Sequence, residues 1–152
     1  MRKQAWSRPA RPARTKEMLL PLPVARVRAL SLENHLALAT VRAARGNLDQ
    51  LCCLLRVVYL AFYLREETAA GADIEPYRRA EAALDACIGR MERHEPCLML
   101  DLELAAIERV LVLHDDQLAG TPKHRYAQAW ERLQRFIASQ QRSPIPAIPT
   151  GQ

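Results

Sequence analysis

Asn47-Leu48-Asp49-Gln50-Leu51-Cys52-Cys53-Leu54-Leu55-Arg56-Val57-Val58-Tyr59-Leu60-Ala61-Phe62-Tyr63-Leu64 is the run on which the architecture turns. Leu48, Leu51, Leu55, Val58 and Phe62 recur at helical spacing, and Leu54, Leu60 and Tyr63 spread apolar surface around the rest of the helix. Val57-Val58-Tyr59-Leu60 alone would suit a strand. The run is too long for that and passes into Arg65-Glu66-Glu67. It therefore predicts a helix over about 48–67, capped by Asn47 and central in a bundle. An all-round apolar helix can also serve a contact between chains, so Leu54, Leu60 and Tyr63 are the expected partner-interface residues.

Four more helical patterns surround it, and no segment alternates like a strand. One is expected over about 32–45, with Ser31 as cap, Gly46 as closing residue and Leu32, Leu36, Ala39 and Ala43 on one face. A short helical turn around Val24–Leu30 precedes it. Another covers about 75–93, with Asp73 as cap, Pro76 in the first turn and Tyr77, Ala80, Leu84, Cys87 and Met91 as stripe. The fourth covers about 97–118, from Pro96 to near Gly120, with Leu100, Leu104, Ile107, Leu111, His114 and Leu118 inward. The fifth covers about 122–141, with Thr121 as cap and Tyr126, Trp130, Leu133 and Ile137 inward. Short connections make successive helices antiparallel neighbours. The fold class is thus all-α: a single-domain antiparallel bundle of about five helices over 23–141, with a flexible basic arm at 1–22 and a Pro-rich tail at 142–152.

Length and composition agree with one domain. The chain has 152 residues, 49% apolar and 26% charged, the profile of a globular protein rather than a disordered or fibrous one. The apolar run Leu51–Leu64 is too short to span a bilayer and contains Arg56. Prolines Pro21 and Pro23 break the only candidate signal segment. Four cysteines without a spacing framework read as reduced core thiols. These features predict a cytoplasmic protein without membrane attachment.

The charge is unevenly placed. Of 22 cations, six (Arg2, Lys3, Arg8, Arg11, Arg14 and Lys16) lie in the first sixteen residues, where there is no acid. The remaining 16 face 17 acids. A basic arm on a near-neutral body is a polyanion-binding footprint, although charged tails are also common as plain solvated leaders. The fifth helix adds Lys123, Arg125, Arg132 and Arg135, on a face opposite Tyr126 and Leu133. Arg and Gln there suit phosphate and base contacts. The plain reading of the same face is solvated surface. A Gly-Thr-Pro turn precedes this helix, but Asp116 occupies the position where a helix-turn-helix places a small residue.

Catalytic and metal signatures are sparse. The four histidines are scattered, no CxxC pair exists, and five glycines are too isolated for a phosphate loop. No metal and no cofactor are expected. His114-Asp115-Asp116 is the most catalytic-looking triplet, a base on an apolar stripe beside two carboxylates, and a buried structural histidine is its simpler reading. An enzyme centred there needs a pocket joining His114 to a second polar helix. Cys97, read as opening a helix, is the best candidate for an activated thiol.

Ser31-Leu32-Glu33-Asn34-His35-Leu36-Ala37-Leu38 and Leu113-His114-Asp115-Asp116-Gln117-Leu118 resemble a group of small all-helical proteobacterial proteins of plasmids, phages and integrated elements. The likeness covers roughly residues 20–138. Some members carry the label of Fis-type transcriptional regulators, which implies DNA binding through a C-terminal helix-turn-helix. This chain instead closes with a Pro-rich tail and lacks the Ala-x-x-x-Gly spacing, so no binding or catalytic residue is carried over. The expected function is that of a non-enzymatic accessory or regulatory protein contacting nucleic acid. The alternative is a protein–protein adaptor, inhibitor or homo-oligomer that binds no nucleic acid.

Overall fold

The computed structural model describes residues 15–148. Among them are five α-helices: α1 Val24–Arg42, α2 Leu48–Tyr63, α3 Glu75–Glu92, α4 Asp101–Gly120 and α5 Lys123–Ser139. A 3-10 turn at Lys16–Leu19 precedes α1, and another at Arg65–Glu67 follows α2. The fold is an all-α single domain, and α2 is its axle, packed against each of the other four helices. Its side chains from Leu51 to Phe62 are buried on nearly every side, as the apolar run requires. Asn47 Oδ1 accepts the Asp49 and Gln50 amides, and Gln50 Oε1 accepts the Asn47 amide at 2.8 Å, closing a capping box.

Several expectations change. Leu54 and Leu60 are fully inside the chain, and Tyr63 is half-covered by the Arg132 guanidinium, 4.6 Å from its ring centre. Four neighbours consume the surplus apolar surface of α2, so these three residues form no open partner face. The first helix is continuous from Val24 rather than beginning after Ser31. Its buried residues are Asn34, Ala37, Leu38 and Val41, while Leu32 and Leu36 are 61% and 55% exposed. Periodicity found a genuine stripe but not the side that the core takes.

Helix closure also departs from the glycine rule. Ala44 and His94 hold φ of 58° and 61°, the left-handed region glycine usually occupies. Around Ala44, the Arg45 amide returns to the Thr40 carbonyl and the Ala44 amide to that of Val41. Gly46 serves close approach instead: a Cβ there would stand 2.7 Å from Val41 Cγ2. The fourth helix starts at Asp101, so Cys97 lies in the connector and not at a helix N-terminus. Its Sγ is 3.5 Å from that of buried Cys87, whose thiol is pushed up to about 11 by burial and by Cys97. Cys52, expected inside, is exposed.

Both flanks are fastened to the bundle. The Lys123 amide donates to the Leu20 carbonyl at 2.8 Å, His124 Nδ1 donates to the Met18 carbonyl, and Leu22 is buried. Residues 15–22 of the expected flexible arm are therefore docked on the start of α5. In the tail, Ser143 Oγ donates to Glu81, Arg78 Nε donates to the Pro146 carbonyl, and Ile145 enters the core. No helix of the described residues is long and apolar enough to cross a membrane.

Candidate functional site

Two surfaces carry chemistry: the outer face of α5 and a cleft beneath it. On α5 the core takes His124, Tyr126, Ala129 and Leu133. Trp130 and Ile137, expected inward, are 39% and 50% exposed rather than in the core, and Phe136 packs edge-on to Tyr59 with ring centres 5.1 Å apart. The four cations all have intramolecular neighbours. Lys123 Nζ meets Glu17 at 3.0 Å, Arg125 meets Glu67 at 3.8 Å and Arg135 meets Glu131 at 4.0 Å, while Arg132 lies over Tyr63. Such exposed pairs are weak and exchange readily. Lys16, the described member of the arm cluster, is exposed on the turn that abuts α5, and α5 packs against that turn. Arg2, Lys3, Arg8, Arg11 and Arg14 lie outside the described residues. The two helices flanking the Gly-Thr-Pro turn do not pack along one another: α5 lies on α2. A helix-turn-helix needs that packing.

The cleft has a volume of about 670 Å³ and lies between the docked arm segment, α1, α2 and α5. Leu30, Val57 and Leu60 form aliphatic walls, Tyr126 and Trp130 an aromatic one. Arg26, Arg56, Lys123, Glu17 and Glu33 supply its charged lining, with Lys123 paired to Glu17. Burial raises the Cys53 thiol, with Glu33 adding to it, so Cys53 is a protonated thiol at neutral pH.

His114 lines this cleft together with Asn34 of α1, so the pocket that a catalytic reading demands is present. The carboxylate support is not. Asp115 turns to His35, 2.8 Å away, and Asp116 is exposed. The partner of His114 is Gln117, whose Oε1 lies 2.9 Å from His114 Nδ1. Gln117 Nε2 donates to the Ala61 carbonyl, so its Oε1 must accept and Nδ1 must carry the hydrogen. Nε2 is then a bare acceptor. Burial holds His114 below the usual imidazole range, and Gln117 and Asp115 only partly oppose this. A neutral imidazole backed by an amide offers a hydrogen-bond acceptor and little support for a developing imidazolium. Gln117 and Asn34 belong to no motif or spacing in the sequence that marks them as site residues. No group of three or more potential metal ligands occurs among the described residues.

No family model matches the chain. No curated protein and no solved structure matches it either.

Proposed function

We propose that the protein is a non-enzymatic accessory or regulatory bundle that contacts nucleic acid through its basic arm and the outer face of α5. What supports this reading is the docking of residues 15–22 onto the first turn of α5, with Lys16, the described cation of the cluster, on the turn that packs against that helix. Arg132 and Arg135 continue that face, and their surface partners yield to phosphates at small cost.

The test is anisotropy of labelled random-sequence duplex DNA with the full chain and a 17–152 truncation, at low and physiological salt. Each phosphate contact contributes about 0.9 to the slope of log affinity against log salt. Loss of the six arm cations is expected to flatten that slope by about 5. An unchanged slope removes the arm from the reading, and no binding by either chain at low salt rejects it.

A second reading, an adaptor or homo-oligomer, rests on α1. Its apolar stripe Leu32, Leu36, Ala39 and Ala43 faces outward. Sedimentation that depends on concentration and is abolished by Leu36→Glu supports self-association through this stripe. A single monomeric species at every concentration rejects it.

A further inference from the structure

The cleft under α5 holds two polar side chains that the fold does not satisfy. Asn34 is 7% exposed and His114 is 2% exposed, and both line it. Among the described residues the Asn34 amide makes no hydrogen bond, and His114 uses only Nδ1. Their free polar atoms are not among the sealed, unpartnered ones of the core, so they reach the open cleft, where an occupant can pair them. Here they sit on different helices, α1 and α4, and open to the same space.

The chemistry of that space narrows its occupant. The volume falls within the usual range for small-molecule sites, and the walls are largely apolar, as such sites require. The bare Nε2 of His114 asks for a donor and repels an anion. The Asn34 amide can donate to a carbonyl. Glu17 is paired with Lys123, and Glu33 shares the lining with Arg26 and Arg56, so the cleft gathers no cluster of carboxylates to hold a cation. Tyr126 and Trp130 facing Leu30, Val57 and Leu60 favour a flat ring.

We propose that the cleft is a binding site for an uncharged, flat, mainly apolar molecule whose polar edge carries an N–H beside a carbonyl, as in a cyclic amide fused to an aromatic ring. The N–H donates to His114 Nε2 and the carbonyl accepts from Asn34. This site is independent of the nucleic-acid reading, and its test contains no nucleic acid.

The probe is isoquinolin-1-one, titrated into the full chain and followed by Trp130-region NMR shifts and tryptophan fluorescence. Its N-methyl analogue keeps the ring and carbonyl but lacks the donor. Saturable binding with Kd of about 1 mM is expected for the parent, the range a ligand this small can reach. N-methylation is expected to weaken it about 5-fold or more, the worth of one donor to a buried acceptor. Ala127→Trp, an exposed position on the cleft wall, is expected to block both compounds while preserving the fold. His114→Phe is expected to erase the difference between the two compounds. Absence of saturation by about 10 mM, equal affinity for the two compounds, or full binding by the Ala127→Trp variant each overturns the proposal. The comparison of the two compounds on the unaltered chain needs no variant to fold.

Discussion

Ala44 stands where a helix end normally has glycine, at a φ of 58°. The left-handed region costs a residue with a Cβ about 1–2 kcal/mol, part of which glycine returns through its freer unfolded chain. Ala44→Gly is therefore expected to raise stability by about 0.5–1 kcal/mol, measured as a higher urea midpoint with an unchanged m-value. His114 supplies a pH test. Its folded pKa lies below the ordinary 6.5 because burial opposes the charge. As pH falls below that value the unfolded chain takes up a proton that the folded chain refuses, so stability declines toward acid. The limiting slope is about 1.4 kcal/mol per pH unit for one proton. Urea midpoints compared at neutral and mildly acidic pH should show this decline, and His114→Phe should reduce it. A decline of the same size in that variant would assign the effect to other groups.

At the level of the helix, the sequence pattern was informative where one face had to choose a side and misleading where two faces competed. The second helix has no polar face along its length, so its place at the centre followed directly from Leu51 to Phe62. The first helix carries two apolar stripes, and only packing decides between Leu32/Leu36 and Ala37/Leu38/Val41. On the fifth the buried stripe runs through Tyr126, Ala129 and Leu133, and Trp130 and Ile137, one helical position away, are left partly exposed. Thr121, expected as its cap, is buried and ends α4 instead, its amide donating to Gln117. The cleft was less legible still, since Asn34, Cys53, His114 and Trp130 come from four helices and share no spacing. Two substitutions check the choice of face. Leu54→Ala removes a fully buried side chain and is expected to cost about 3 kcal/mol. Leu36→Ala is expected to stay within about 0.5 kcal/mol, as for ordinary surface sites. Similar losses in thermal unfolding for both would place Leu36 inside after all.

Across the molecule, residues 15–22 and 142–148 of the two flanks are docked on the bundle. The tail crosses α3 through Arg78, Glu81 and Ile145, so deletion of 143–152 is expected to lower stability by about 2 kcal/mol, chiefly from uncovering Ile145 and its seat. Unchanged stability would show that the strap rests on the bundle without adding to it. The other flank does two jobs at once. Glu17 and Met18 root the basic segment on α5, and the same two residues wall the cleft. Lifting the 3-10 turn at Lys16–Leu19 away from α5 would therefore take a wall off the cleft. Thermodynamic linkage makes the relation reciprocal. If tension on the arm changes the affinity of an occupant by some factor, the occupant returns that same factor to whatever the arm holds.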